Sequence, residues 1–293
     1  MKKIILRSIG IYLNLLARIS PKKAGEKGFR IFCTPFGGKL KKHHLDFLAG
    51  ASSTNYNFNG TNIKVYQWGH GPKNVLFMHG WQSHSFRWKK YIEKLPLSEY
   101  TIIAYDAPGH GLSSGKQFTV PLNAYLLSKL VKKYNGFETV VSHSIGSMSV
   151  LYALAQYPHL SIGKIVSMAT PGKVDDFLTF YQESLGLNAR TFQLIKNEFQ
   201  MYVKLDLEFI EASLFAKNIH IPGLIIHDKD DLETPYINAE ALSKSWKNSS
   251  LVSTKGLGHN LRSPKIIELV TDYIEKNAVT IENIEAVEEP FLE

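Results

Sequence analysis

The chain is predicted to fold as an α/β protein, with a mostly parallel central sheet flanked by helices. Three observations point there. After residue 60, short apolar runs rich in Val, Ile and Tyr alternate with helical patterns, as expected for a parallel sheet covered on both faces. One such run, Thr139 to Val141, leads through Ser142-His143-Ser144-Ile145-Gly146 into a helical pattern. The 293 residues are 44% apolar and 20% charged, enough for a sizeable core.

The elements follow in order. Residues 1–50 read as a basic, helical N-terminal extension, with Ile4, Ile5, Ile9, Ile11, Tyr12, Leu15, Leu16 and Ile19 forming a broad apolar stripe. Lys2 and Lys3 ahead of this run have the outline of an export signal. However, Arg7, Asn14 and Arg18 interrupt it, and no small-x-small cleavage site precedes Lys22 and Lys23. The run is also too short and broken for a membrane span. A helix docked on the domain is expected, with a basic helix on an acidic membrane surface as the second reading of residues 1–20.

Residues 51–171 and 222–276 read as the core. Its strands are expected at Ile63–Trp68, Asn74–His79, Thr101–Tyr105, Thr139–Ser142, Ile165–Met168, Leu224–His227 and Leu251–Thr254. Helices are expected at Phe86–Leu95, Leu122–Lys133, Ile145–Tyr157, Asn238–Trp246 and Pro264–Lys276. Residues 172–221 are too long for one crossover and read as a helical cap or lid insertion. Some of its aromatics, with Phe177, Phe180 and Tyr181 as candidates beside Trp81, are expected to meet substrate. Residues 277–293 form an acidic C-terminal tail.

Charge and cysteine usage narrow the function classes. The net charge of +8 is uneven: residues 1–50 hold eleven Lys and Arg against Glu26 and Asp46, while the last twenty residues hold six Glu against Lys276. The basic balance therefore belongs mainly to one segment and does not describe a nucleic-acid-binding face. The single Cys33 excludes an intramolecular disulfide framework and a cysteine-based zinc site. A cytoplasmic location is expected, peripheral to a membrane if residues 1–20 bind one. The histidines lack metal-ligand spacing, and no phosphate loop or dinucleotide fingerprint is present, so neither metal nor cofactor is expected.

The chemistry lies in motifs at the ends of the expected strands. A serine on a tight strand-to-helix turn needs small neighbours two residues away on either side, here Ser142 and Gly146. The turn lifts the Ser144 hydroxyl to a helix N-terminus, where unpartnered N–H groups favour developing negative charge. Ile225 to Asp231, followed by Pro235, forms a strand and an acidic loop. Gly256-Leu257-Gly258-His259 follows the last strand, and His79-Gly80-Trp81 closes an earlier one. Asp106-Ala107-Pro108-Gly109-His110-Gly111, then Ser113, reads as a structural loop rather than a metal site.

Together these residues resemble the α/β-hydrolase superfamily, in its serine-nucleophile, esterase- or lipase-like branch, over roughly residues 60–276. The resemblance implies Ser144 as nucleophile, Asp231 as acid and His259 as base, with the backbone N–H groups of Trp81 and Ile145 as oxyanion hole. Two positions depart from the pattern: Ser142 replaces the first glycine of the elbow, and Asp228 the glycine before the acid. Asp230 is the alternative acid, and His79 and His143 are expected to be structural.

The resemblance also implies a serine hydrolase that cleaves a carboxylic ester or related small acyl compound through an acyl-enzyme, without metal or organic cofactor. Alternatives are an acyltransferase or carbon–carbon bond hydrolase using the same triad, or a slow-turnover ligand-binding or signalling protein. The basic start and aromatic insertion would suit a lipid-like acyl group.

Overall fold

The computed structural model describes residues 2–36 and 40–276; the acidic tail expected at 277–293 lies outside these. The chain divides into two compact units. One comprises Met1–Pro35 with Lys173–Glu211, and the other runs from Phe36 to Gly172 and resumes at Ala212.

The strands are β1 (Ser52–Phe58), β2 (Thr61–Trp68), β3 (Lys73–Met78), β4 (Tyr100–Tyr105), β5 (Phe137–His143), β6 (Ile162–Met168), β7 (Gly223–Asp228) and β8 (Ser249–Thr254). The helices begin with α1 (Lys2–Ile19), α2 (Pro21–Phe32), α3 (Lys42–Ala49), α4 (Lys89–Lys94), α5 (Val120–Lys133) and α6 (Ile145–Gln156). They continue with α7 (Val174–Leu185), α8 (Ala189–Val203), α9 (Ala212–Ala216), α10 (Ile237–Ser245) and α11 (Pro264–Lys276).

Among the described residues the larger unit holds one eight-stranded sheet, ordered β1-β2-β4-β3-β5-β6-β7-β8. From β4 through β8 every pairing is parallel, while β1 and β2 are antiparallel. Parallel strands are buried on both faces and therefore carry continuous apolar runs. In β3, Val75 and Phe77 pack with Trp88, Tyr91 and the α11 residues Ile266, Val270 and Ile274. Leu76 and Met78, of opposite parity, are equally buried. Burying a side chain such as Phe77 contributes about 2–3 kcal/mol.

β1 was not expected. Its sequence, SSTNYNF, is polar, and only Phe58 is buried, so it has no apolar alternation to read. It pairs with β2 across Asn59-Gly60, both at positive φ (50° and 79°). An Asn-Gly pair between two strands is a strong hairpin signal, and it was present in the sequence.

The smaller unit joins segments far apart in the chain. α1 and α2 pack with α7 and α8, so residues 1–35 and 173–211 share one core, built on Leu13, Leu185, Leu187 and Ile195. Glycines permit the close approach. A Cβ on Gly10 would lie 1.8 Å from the Leu185 carbonyl oxygen, and one on Gly28 would lie 2.4 Å from Ile195 Cδ1. Phe29 packs on Phe199 and Tyr202, Phe32 packs on Tyr181 and Phe199, and the Tyr181 hydroxyl donates to the Gly28 carbonyl at 3.0 Å. This grouping differs from the separate N-terminal extension and 172–221 insertion read from sequence. Residues 36–50 and 212–221 belong with the sheet.

Candidate active site

The parallel strands deliver Trp81, Ser144, Ile145, Asp231 and His259 to their carboxyl ends, as open α/β sheets do. β3 and β5 are neighbours, which brings the His79-Gly80-Trp81 turn beside the elbow. β7 and β8 are neighbours, which brings the acid loop beside the histidine loop.

At the end of β5, Ser144 has φ 54° and ψ −127°, a backbone state that costs about 1–3 kcal/mol for a residue with a Cβ. The surroundings hold it there. Ser144 N–H donates to the Met168 carbonyl at 2.8 Å, and its own carbonyl accepts from Ser147 and Met148 N–H. The small flanking residues are required by space. A Cβ on Gly146 would lie 2.6 Å from the His79 carbonyl oxygen. Ser142 is fully buried, and its hydroxyl donates to the Val166 carbonyl at 3.1 Å, so serine satisfies the elbow in place of glycine. Gln82, Ala169 and Leu261 also have positive φ, so strained backbone gathers around the strand ends.

His259 links the other two residues of the set. Its Nε2 lies 3.0 Å from Ser144 Oγ and its Nδ1 lies 2.8 Å from Asp231 Oδ2. Asp231 Oδ1 accepts from the N–H groups of Glu233 and Thr234, and Oδ2 accepts from the Thr234 hydroxyl at 2.7 Å. Burial pushes this carboxyl up, but the hydrogen bonds from His259 and Thr234 and the His259 charge outweigh it, leaving the pKa at about 2. An ionised Asp231 can only accept, so His259 carries its proton on Nδ1. Nε2 is then left as the acceptor for the Ser144 hydroxyl. Asp230 is exposed and off the set. Asp228, at the expected glycine position, accepts from the Thr254 hydroxyl (2.6 Å) and Leu257 N–H (3.0 Å), tying the acid loop to the histidine loop.

Two buried histidines hold the turn that presents Trp81. His79 Nε2 accepts from Ala107 N–H at 2.9 Å while Nδ1 donates to the Gly80 carbonyl. His110 Nε2 accepts from Gln82 N–H at 3.1 Å while Nδ1 donates to the Pro108 carbonyl. Burial, chiefly, lowers their pKa values to about 4 and about 3, so both rings are neutral. Asp106 accepts from Tyr66 hydroxyl, Ser85 and Leu112 and fixes the adjacent loop. Ile145 is the first residue of α6, where an N–H has no partner within the helix.

A cleft of about 440 Å³ opens at Ser144, and Trp81, His143 and His259 line it. Of the expected substrate contacts, Trp81 is therefore at the cleft, whereas Phe177, Phe180 and Tyr181 belong to the helical unit. Three contributors were missed in the sequence: Thr234, which braces Asp231; Asn260, which accepts from the Arg87 guanidinium through its carbonyl at 2.7 Å; and Arg87 itself. Asp231-x-x-Thr234 carried a readable signal, since Asp side chains cap the backbone two and three residues on. Among the described residues, no group of three or more His, Cys, Asp or Glu side chains is placed to hold a metal ion.

This architecture is the α/β-hydrolase fold. Residues 70–213 match the family described as serine aminopeptidase, S33, and residues 211–283 match the TAP-like protein family. A putative lipase from Acinetobacter baumannii superposes with a TM-score of 0.62 at 18% identity, covering 81% of this chain and 96% of that one. The chain is 24% identical over 255 residues to a bifunctional esterase/perhydrolase of Acinetobacter calcoaceticus, covering 69% of this chain and 91% of the relative. It is 28% identical over 164 residues to 2-(acetamidomethylene)succinate hydrolase of Mesorhizobium japonicum, about half the length of each. The chain belongs to the α/β-hydrolase superfamily.

Proposed function

We propose that the protein is a serine hydrolase that cleaves a carboxylic ester or related acyl compound through an acyl-enzyme. The observation that carries this reading is the hydrogen-bonded series Ser144 Oγ, His259 and Asp231, at 3.0 and 2.8 Å. Ser144 Oγ attacks the acyl carbonyl as its proton passes to His259 Nε2, and Asp231 stabilises the imidazolium. The Trp81 and Ile145 N–H groups receive the oxyanion, each contributing about 2.7–4 kcal/mol to the transition state. His259 protonates the leaving alcohol and then draws a proton from the water that releases the acid. The esterase named among the relatives supports the ester class.

The test is labelling by a fluorophosphonate probe together with turnover of a chromogenic ester panel. Labelling of wild type but not Ser144→Ala, with many turnovers per molecule, is the expected result. An unlabelled wild type, or equal labelling of Ser144→Ala, overturns the assignment. Transfer of the acyl group to an added alcohol in preference to water would indicate an acyltransferase.

We also propose that α1 binds an anionic membrane surface. Gly10, Leu13 and Ala17 are buried within the helical unit, whereas Ile4, Ile5, Ile11, Tyr12, Leu15 and Ile19 are exposed, Ile19 to 84%. Exposed Arg18, Lys22 and Lys23 supply the charge. Among the described residues, no helix is long and apolar enough to cross a membrane. Ile11→Asp with Leu15→Asp should abolish sedimentation with phosphatidylglycerol vesicles while the thermal midpoint holds. Unchanged sedimentation removes the idea.

A further inference from the structure

The cleft at Ser144 has an unusual charge for the site of a neutral ester. Among the described residues its lining includes the cations Lys41, Arg87 and Arg262 and one carboxylate, Glu233, and the large apolar side chains there are Trp81 and Phe86. The lipid-like acyl group that the basic start and aromatic insertion would suit finds little apolar wall among these residues. Glu233 is 72% exposed at its side chain, so solvent screens it. Arg87 is held in place: its guanidinium donates to the Asn260 carbonyl at 2.7 Å and Oδ1 at 3.4 Å and lies over Trp88 at 5.5 Å. Asn260 directly follows His259, so this cation is tied to the loop that carries the base.

The positive field reaches the elbow. Burial is the main reason the His143 pKa lies well below the usual histidine value, and the charges of Arg87 and Arg262 lower it further. A guanidinium fixed by its neighbours is a permanent, weakly hydrated charge that attracts carboxylate and phosphate oxygens.

We infer that the substrate carries an anionic oxygen group, a carboxylate or a phosphate, on the acyl portion, recognised by Arg87 with Arg262 and Lys41 supporting it. This rests on the reading of Ser144 as nucleophile. The anion orients the acyl chain so that its carbonyl reaches Ser144 Oγ, and a neutral chain of equal length forgoes that attraction.

The experiment compares 4-nitrophenyl hemiglutarate with 4-nitrophenyl pentanoate, which has the same chain length without the charge, and with the corresponding ester ending in a phosphate. Wild type should show kcat/KM at least tenfold higher for one of the two anionic esters, and the better of them identifies the group. That preference should shrink as sodium chloride rises from 50 to 500 mM and fall about tenfold in Arg87→Gln, with Arg87→Lys intermediate. A ratio near one in wild type, or a ratio unmoved by salt and by both variants, overturns the proposal. Pentanoate hydrolysis abolished by Ser144→Ala would in that case leave the serine-hydrolase reading standing. Calorimetry of monomethyl glutarate with Ser144→Ala gives a readout that needs no turnover: saturable binding that weakens with salt supports the anion site, and no binding up to 10 mM counts against it.

Discussion

His143 donates from Nε2 to the backbone carbonyl of His259 at 2.8 Å, and the two rings meet edge to face with centroids 5.0 Å apart. The residue before the elbow serine thus holds the loop that carries His259. Its ring is buried and neutral, and a neutral ring has a single N–H, which this contact uses. His143→Phe keeps an aromatic ring but removes the donor, and the hydrogen bond to the part-buried His259 carbonyl is lost at about 0.5–1.5 kcal/mol. We expect kcat to fall roughly tenfold or more with KM little changed, and His143→Gln to restore part of it. Equal losses in kcat for Phe and Gln, tracking the thermal midpoint, would mean the contact is only structural.

Ser144→Ala and Ser144→Gly separate chemistry from strain. Both should lower kcat by about 10⁴–10⁶-fold. Only glycine relieves the φ of 54°, so Ser144→Gly should be more stable than Ser144→Ala by about 1 kcal/mol in denaturant unfolding. Equal stabilities would show that the elbow stores no strain.

Gly146→Ala should damage the neighbouring turn. The added methyl would press on the His79 carbonyl, displacing the strand end that leads to Trp81 N–H. A stability cost of about 1–3 kcal/mol and a fall in kcat exceeding any change in KM are expected from urea titration and steady-state rates. Wild-type kcat in this variant would remove the Trp81 turn from the mechanism.

Acid should destabilise the protein in two stages. Buried His79, His110, His143 and His227 titrate below their unfolded value. The unfolded chain therefore binds more protons as the pH falls below about 6.5, and stability declines until the folded-state values are reached. His79 alone accounts for on the order of 3 kcal/mol down to about pH 4. Asp231 acts lower. Its folded pKa is depressed to about 2, so its contribution is complete above about pH 4 and lost as the pH falls through about 2. That loss is about 2 kcal/mol, and Asp231→Asn should flatten only this second stage. A wild-type unfolding free energy flat from pH 7 to 5 would contradict the neutral burial of the histidines.

The six parallel strands and the elbow were legible because each carries its own local signal: an apolar run, a small-residue turn or a glycine pair. Ser144 and His259 followed from those turns. The resemblance preferred Asp231 to Asp230 from its place between Asp228 and Pro235, and the fold shows its carboxylate facing His259 Nδ1. The Arg87–Asn260 contact spans 173 residues and leaves no trace in periodicity. The partnership of α1 and α2 with α7 and α8 was hidden for the same reason, since an apolar stripe announces a buried face without naming what covers it.

That partnership has a consequence in time. The Gly28 carbonyl and the Tyr181 hydroxyl are 153 residues apart, and Gly10 needs Leu185 to close against. At about 5–20 residues per second of synthesis, the partners of the first two helices emerge roughly 8–30 s after them. During that interval α1 is apolar on both sides, the face destined for Leu185 and the face that stays exposed. A nascent chain whose first helix waits more than a hundred residues for its cover is most exposed to aggregation, or to capture by a lipid surface, while the first six strands are being made.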